Sequence, residues 1–480
     1  MKGKKLLLIL SLVVGVMFMI TACNRDDDTP AAPPAPAATP TPAPAADGTP
    51  PADDGPVVGE ELEPAPLYYH FENRTPTDMG GRPLRINAWW QVFNFEADQW
   101  AAPDDPGFRS LYTIYREAEE RWNTTLEFTV AGWGENVELL ATSVLAGEPF
   151  ADMVRLENWQ AIPYAISRGL LTPLEHLYPY FCVATEMPPG ISGFSQFAGY
   201  HWGFIYGYQS GDGLFFNGDM IEREGLPCPF DLYTQGQWNW DNFRDLAIRA
   251  TRTAADGTIE QYGIATHPQT LGFFLTLSNG GNIVDDNAGR FVGNSPQTIQ
   301  AMDFMQQLIL QDGVVSLFND AETFLAGNAL FMMSGPWFIG QSRENLGANV
   351  GFIPFPTGPS GSGHHSISTG PNMFFIPRGA NPQALTIYSE SRREARLYTH
   401  PDPDSWAEAY SRCLVSFEIV ANMRHSTLTD RYRGFGGLGD MIQWNEIATG
   451  ELIPATHMEA IAEAAQAIID EVFDLIHANY

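Results

Sequence analysis

The sequence contains almost no lysine. Its only lysines are Lys2, Lys4 and Lys5, and every other basic residue is an arginine. If the N-terminal segment is removed, no lysine amine remains in the chain. This absence excludes a P-loop lysine, a kinase-type strand lysine, a Schiff base with pyridoxal phosphate and an S-x-x-K hydrolase.

Cysteine and metal-binding motifs are also scarce. The chain has four cysteines, with no C-x-x-C pair, no zinc-type spacing, no H-E-x-x-H and no G-x-S-x-G. When Cys23 is set aside, Cys182, Cys228 and Cys413 remain, so at most one disulfide can form. Three thiols are the simpler interpretation, and a Cys182–Cys228 bridge is the alternative. We expect no cofactor, no metal and no catalytic residue.

Positive charge is the third scarcity. The chain has 26 Lys and Arg against 57 Asp and Glu, a formal net charge of −31. Such a surface repels phosphate backbones, which argues against nucleic-acid binding. The composition is 44% hydrophobic and 12% aromatic over 480 residues, which is enough for a large core in two to three domain-sized units.

Only one long apolar run occurs, at the N-terminus. Residues 6–20 follow the three lysines and precede Ala22-Cys23, an order typical of a secretory signal. The cysteine after a small residue resembles a bacterial lipobox, which implies cleavage before Cys23 and lipid attachment to it; the alternative is an uncleaved signal anchor. Because more than one acyl chain anchors stably, we expect a lipid-anchored protein at the cell membrane, facing the extracellular or periplasmic side.

The next segment, residues 24–66, is rich in proline and alanine with interspersed aspartate and threonine. This composition cannot bury a core and favours an extended, semi-rigid tether. We expect it to hold a folded body away from the membrane surface.

From about residue 67 the pattern alternates between strands and helices. It predicts strands at 84–90, 126–130 and 151–156 and helices at 108–122, 137–145 and 159–168. The order restarts later, with strands at 214–216, 329–334, 350–355 and 373–376 and helices at 219–224, 241–252, 296–311 and 458–476. The β-α-β-α-β-α order of the first half favours a mostly parallel sheet with helices on both faces, and the two βα-rich halves indicate an α/β protein with two lobes.

Large aromatic residues recur where the predicted strands end. Trp89 and Trp90 close the first strand, Trp133 follows the second, and Glu157 and Trp159 follow the third. In the second half, Trp337 follows the strand at 329–334. Because open α/β sheets bind ligands beyond the carboxyl ends of their strands, these residues are candidates for a ligand site. For each tryptophan alone, a core position is the alternative.

Three segments together resemble one family. Residues 324–337 fit F-x-x-G-x-A-x-M-x-x-x-G-x-W, residues 238–247 fit W-T-W-D-E-F, and residues 206–217 are similar to a crossover strand. Tyr262-Gly-Ile and Phe352-Ile-Pro-Phe-Pro also fit. This combination resembles the extracellular solute-binding proteins of bacterial ABC importers, specifically their carbohydrate-type family 1, over residues 84–378.

The resemblance implies a two-lobed periplasmic-binding-protein-like fold of type II, with a hinge and an interlobe ligand cleft. The implied crossings lie near Ser210–Gly213, Ser366–Thr369 and His400. Lobe 1 would comprise residues 67–212 and 368–400, and lobe 2 residues 213–367 and 401–480.

The resemblance also implies a sugar site. Aromatic faces suit the C–H patches of a sugar, and carboxylates suit its hydroxyls. By family position Trp337 is the first candidate for stacking, followed by Trp90 and Tyr208, and Glu157 is the first hydroxyl acceptor. The further candidates are Trp89, Asp212 and Trp159. Glu157 could instead be a helix N-terminal carboxylate, and Asp212 a hinge turn residue.

The implied function is capture of a sugar or oligosaccharide and its delivery to ABC permease subunits, by a lipid-anchored monomer without enzymatic activity. Three alternatives stay open. One is a binding protein for another solute, such as a peptide. A second is a sensor or scavenging lipoprotein with no transport partner. The third is a secreted glycoside hydrolase, although no pair of carboxylates at strand ends stands out.

Overall fold

A computed structural model describes residues 77–98, 110–178, 180–183, 187, 191–205, 211–368, 370–399, 414–423 and 426–480. The predicted signal segment, the tether, Cys23, Tyr208 and Cys413 lie outside these residues. Two separate sheets organise the described part of the chain.

The first sheet has five strands in the order β2-β1-β3-β16-β6. β1 lies parallel to β2 and to β3, with Ile86 opposite both Phe128 and Met153. β16 runs antiparallel to β3 and to β6. The strands are β1 (Pro83–Ala88), β2 (Thr125–Val130), β3 (Met153–Leu156), β6 (Gly203–Phe204) and β16 (Met373–Phe375).

The second sheet has the order β12-β9-β13-β7-β14, with β8 beside β9. β9 is parallel to β12 and β13, whereas β7 is antiparallel to β13 and β14. This sheet is mixed, because β7 enters it directly from the crossing segment and not through a βαβ connection. The strands are β7 (Gly213–Asn217), β8 (Arg252–Thr253), β9 (Ile259–Thr266), β12 (Val315–Leu317), β13 (Ala329–Ser334) and β14 (Val350–Ile353).

Short two-residue strands form three further pairs. They are β4 (Gln196–Phe197) with β5 (Tyr200–His201), β10 (Val284–Asp285) with β11 (Arg290–Phe291), and β15 (Ser366–Ile367) with β17 (Thr427–Leu428).

Helices connect the strands. The α-helices are α1 (Phe95–Asp98), α2 (Leu111–Trp122), α3 (Glu135–Leu145), α4 (Ser192–Ser195), α5 (Gly218–Glu224), α6 (Pro229–Thr234), α7 (Trp240–Ala250), α8 (Pro268–Ser278), α9 (Pro296–Gln306), α10 (Asp320–Leu325), α11 (Ile339–Leu346), α12 (Gln383–Thr399), α13 (Leu414–Met423), α14 (Leu438–Met441), α15 (Trp444–Ala448) and α16 (Pro454–Asn479). Tighter or wider helical turns occur at Gln160–Ala165, Leu174–Leu177, Gln307–Gln311, Pro336–Phe338 and Tyr432–Gly434.

Local capping explains where several helices begin. The side chains of Ser110, Asn217, Asn239 and Ser295 each accept a hydrogen bond from the backbone N–H three residues later. Such caps contribute about 0.5–2 kcal/mol each.

The helix expected at 159–168 is interrupted. Ile162 has extended backbone angles (φ −114°, ψ 113°) within the helical turn, and it directly precedes Pro163. A proline disfavours the helical conformation of the residue before it, which accounts for the break.

Apolar side chains cover both faces of each sheet. In the first sheet Leu84, Ile86 and Met153 face one cluster and Val154 and Leu156 another, all fully buried. The second sheet is buried on both sides in the same way. Two-sided burial is typical of α/β sheets and explains the near-continuous apolar runs in the strands.

The chain passes between the two sheets in paired segments. Asp212, just before β7, exchanges two backbone hydrogen bonds with Ile367 in β15, at 2.6 and 2.9 Å. The two crossing segments expected at 210–213 and 366–369 therefore lie side by side, as far as the structure describes them. Ser210, Thr369 and the crossing expected near His400 lie outside the described residues.

The C-terminal helix α16 contacts elements of both halves. Its Gln466 bonds the backbone at β11, while the side-chain amide N–H of Asn479 and the Tyr480 hydroxyl donate to the carbonyls of Ser167 and Leu171. The lobe boundaries themselves stay a prediction.

Cys182 and Cys228 are not disulfide-bonded to each other, so the alternative of that bridge is wrong. Within the described part of the chain, no helix is both long and apolar enough to cross a bilayer.

Candidate functional site

Two indoles converge on a carboxylate at the carboxyl-end edge of the first sheet. The side chain of Glu157, directly after β3, accepts hydrogen bonds from Trp133 Nε1 (3.3 Å) and from Trp159 Nε1. The two indole rings are 6.1 Å apart, and the guanidinium of Arg433 lies 4.7 Å from the Trp159 ring. We call Trp133, Glu157, Trp159 and Arg433 the indole–carboxylate cluster.

This arrangement gives Glu157 a specific task. Its two oxygens orient two large rings, and Trp133 remains 59% exposed. An exposed aromatic face held by a hydrogen bond is suited to stacking against a ligand. Trp159 stays in the candidate site, and Glu157 retains acceptor capacity because each carboxylate oxygen has further lone pairs.

Trp89 and Trp90 also lie together at the same edge, after β1. Their ring centroids are 4.5 Å apart in an edge arrangement, and both rings are partly buried. Trp90 additionally contacts the guanidinium of Arg155 at 4.5 Å. The structure thus places two of the predicted tryptophans side by side.

The second sheet presents Trp337 after β13. This ring is 74% exposed, as a ligand-stacking residue requires. A Cβ atom added at Gly335 would lie 2.6 Å from both Trp337 Nε1 and Asp212 Oδ1. Gly335 therefore allows the indole N–H and the carboxylate to approach the same stretch of backbone. Trp337 and Asp212 are distant in sequence, but their side chains lie next to each other in the fold.

The crossing segment joins the two edges. Ile367 pairs with Asp212, beside Trp337. Three residues later, Gly370 packs so closely on Asn158 that an added Cβ would lie 2.4 Å from the asparagine side chain. Asn158 lies between Glu157 and Trp159, so the aromatic residues of both sheets flank the same segment.

Asp212 has an unusual electrostatic environment. Burial raises the pKa of its carboxyl to about 7. Sequence reasoning left two interpretations of this residue open, a ligand contact and a hinge turn. The structure places it both at the crossing and next to Trp337.

We expect the raised pKa of Asp212 to produce a pH-dependent stability. Between about pH 4 and pH 7 the folded protein binds more protons at this carboxyl than the unfolded chain, so the folded state loses stability as the pH rises. Asp212→Asn should remove this loss. Between pH 4 and pH 8, the free energy of unfolding of wild type should therefore fall relative to that of the variant by up to about 4 kcal/mol, and by less if water screens the carboxyl.

Urea unfolding of both proteins at several pH values measures this difference. Asp256→Asn is the control, because that carboxylate is exposed and its pKa is lowered by hydrogen bonds to Thr258. A wild-type-to-variant difference that stays constant with pH would contradict the assignment.

Sequence reasoning missed several residues at these edges. His267 follows β9, and its ring lies 5.9 Å from that of Phe318, which is 52% exposed and has a positive φ of 72°. A bulky residue with positive φ is rare and often marks a functional position. The strand-end rule would have found His267 had 259–266 been predicted as a strand. Arg433 had no local signal.

Other predicted site residues are separated or outside the description. Tyr208 and Cys23 lie outside the described residues. Trp89 and Trp90 lie after β1 and the indole–carboxylate cluster after β2 and β3, while Trp337 and Asp212 belong to the second sheet and the crossing. The structure therefore groups the candidates into two walls, one on each sheet.

Solved structures share this architecture. One is an ABC transporter solute-binding protein from Thermotoga lettingae bound with alpha-D-tagatose, with a TM-score of 0.54 at 17% identity over 81% of this chain and 100% of that chain. Lmo0181 from Listeria monocytogenes, in complex with cycloalternan, has a TM-score of 0.59 at 13% identity over 81% and 98% of the chains. The GacH receptor of Streptomyces glaucescens has a TM-score of 0.57 at 14% identity over 81% and 99%.

These likenesses show a two-lobed fold, as the sequence had led us to expect. No curated protein matches the chain. The profile of the family described as "Bacterial extracellular solute-binding protein" matches residues 105–395, more than half of the sequence. The chain belongs to this family of bacterial extracellular solute-binding proteins.

Proposed function

We propose that this protein captures a sugar or oligosaccharide between its two lobes and delivers it to the permease subunits of an ABC importer. The observation that carries the proposal is the pair of exposed aromatic walls on either side of one crossing segment. Trp337 stands on the second sheet, and Trp133 stands on the first, held by Glu157.

The chemistry of these walls suits a saccharide. Indole faces pack on the C–H patches of a pyranose ring. The Glu157 and Asp212 carboxyls and the indole N–H groups can exchange hydrogen bonds with hydroxyls, each of which donates one bond and accepts others. The proteins of similar fold named above, with tagatose, cycloalternan and acarbose bound, support this ligand class.

Capture follows from a shift between open and closed states. A ligand that contacts both walls only when the lobes approach stabilises the closed state by the difference in its binding free energy. The paired backbones of Asp212 and Ile367 are the pivot of this motion in our proposal. The closed form then docks on the permease.

The N-terminal segment would anchor the protein at the cell surface. Cleavage before Cys23 and lipid attachment to it would anchor the chain on the outer face of the cell membrane, and residues 24–66 would act as the tether. We propose a monomer without enzymatic activity.

Calorimetry against a saccharide panel tests the function. Residues 24–480 would be titrated with mono- and oligosaccharides preselected by thermal shift, because a ligand at 100 times its Kd stabilises the fold by about 2.7 kcal/mol. We expect micromolar binding without product. If no saccharide of the panel binds, the ligand is a peptide or another solute. If shortened sugars appear, the protein is a hydrolase.

A further inference from the structure

Arg155 occupies an unusual place in the first sheet. It is the third residue of β3, a strand whose other residues are buried and apolar. Its guanidinium carbon lies 4.5 Å from the Trp90 ring and 5.2 Å from the Phe374 ring. The charged group is therefore packed between aromatic rings at the edge where the predicted tryptophans gather.

No carboxylate pairs with this cation among the described residues. Arg431, whose side chain is only 7% exposed, has such a partner in Asp286, and the more exposed Arg244 has one in Asp312. The Nε atom of Arg155 is buried without any hydrogen-bond acceptor in the described part of the chain. The carboxylate closest along the sequence, Glu157, is instead engaged by two indoles.

Burial is the main influence on the charge of Arg155, followed by Tyr388, which favours the charged form, and Arg392, which disfavours it. Arg392 on α12 acts on it as a like charge, and the Nε of Arg392 donates to the Tyr388 hydroxyl at 3.1 Å. Burial lowers the pKa of Arg155 to about 10, which still leaves it charged at neutral pH. Keeping a partly desolvated, unpaired cation beside a second one is unfavourable for folding, which indicates a functional reason for it.

We propose that Arg155 binds a carboxylate on the captured solute, so that the ligand class is an acidic saccharide containing hexuronic acid. This inference rests on the proposed function. A guanidinium offers two parallel N–H donors that match a carboxylate, and the adjacent Trp90 ring can pack on the same sugar. The anion would supply the missing partner of Nε.

The acidic character of the whole protein does not oppose such a ligand. Charges on the outer surface are screened beyond about 8–10 Å at moderate salt, whereas a partly buried cation acts at contact distance. Specificity would arise because a neutral sugar leaves the guanidinium desolvated without a partner.

Matched sugar pairs test this proposal. Residues 24–480 would be titrated with galactose and galacturonate, glucose and glucuronate, and the di- and trisaccharides of each. We expect the acidic member of one pair to bind at least about 30-fold more tightly than the neutral one. Arg155→Met should abolish this preference, while Arg155→Lys should retain part of it.

Two controls separate folding from recognition. Arg378→Met removes an arginine that also packs on an aromatic ring, Tyr480 at 4.7 Å, but follows β16 at the opposite edge of the sheet. It should not alter the preference. The melting temperature of unliganded Arg155→Met should equal or exceed that of wild type, because a desolvated charge is removed.

The outcomes distinguish the two proposals. Tight binding of neutral sugars only, or acidic-sugar binding that Arg155→Met leaves unchanged, would overturn the role of Arg155 and leave saccharide capture intact. Absence of binding to every sugar, acidic and neutral, would overturn saccharide capture and the role of Arg155 together.

Discussion

Alanine in place of Arg431 is expected to lower the free energy of unfolding by about 3–5 kcal/mol at neutral pH. The guanidinium of Arg431 is only 7% exposed. It donates to Asp286 at 2.5 Å and to the carbonyls of Gly193 and Phe194 at 2.8 and 3.3 Å. Three segments distant in sequence thus meet at one side chain.

The loss is large because of what the substitution leaves behind. Asp286, whose side chain is 18% exposed, would remain partly buried without its cation, close to the carboxyl of Asp430. Burial and the neighbouring Asp286 already raise the pKa of Asp430 to about 7, although three backbone N–H groups donate to it. In the variant these carboxyls would take up protons more readily, so the destabilisation should shrink as the pH falls below neutrality.

Chemical denaturation at pH 5 and pH 7.5 measures this effect. Arg249→Ala is the matched control, since Arg249 pairs with Asp245 at 3.2 Å on an exposed helix surface and should cost at most about 0.5 kcal/mol. Asp286→Asn added to Arg431→Ala should recover part of the stability. A loss for Arg431→Ala as small as that of the control would refute the interpretation.

Alanine in place of Trp337 is expected to weaken solute binding by at least about 30-fold, near 2 kcal/mol, without changing the stability of the protein. Truncation of a ring that is 74% exposed removes little buried area from the folded chain. The same ring would lose its whole contact face with a bound sugar. We therefore expect Trp337→Ala to lower the affinity for the sugar and to leave the free energy of unfolding unchanged.

Calorimetry with a saccharide identified by the panel gives the affinity, and thermal melting gives the stability. Leu145→Ala is the control, because Leu145 is 79% exposed and ends α3, a full helix length away from Trp133. Trp337→Phe should keep part of the affinity through its smaller ring. Unchanged affinity in Trp337→Ala would remove this residue from the site.

Much of the fold could be predicted from periodicity and capping. The strand expected at 126–130 is β2, and that expected at 329–334 is β13. Short-range signals suffice for such elements, because alternation of buried residues and a side-chain cap act within a few residues. The break in the helix at 159–168 was not predicted, because the prediction followed the helical spacing of the apolar residues and did not take the proline into account.

The site was predictable only in part, and for a definable reason. A strand-end rule identifies Trp337, Trp89 and Trp90, since it needs only the position of each residue relative to one strand. It gives no information on pairs such as Trp159 with Arg433, which are separated by more than half of the chain. Tertiary packing alone brings these two together.

The sequence by itself determined the α/β class, the family resemblance and the candidate tryptophan after β13, because patterning and local motifs are properties of neighbouring residues. The tertiary structure decided the mixed parallel and antiparallel strands of the second sheet. It also decided that Asp212 and Trp337 both pack against Gly335. It also decided that Glu157 orients two indoles while Arg155 has no counter-ion among the described residues. These features depend on desolvation and on contacts between distant segments, which exist only once the chain is folded.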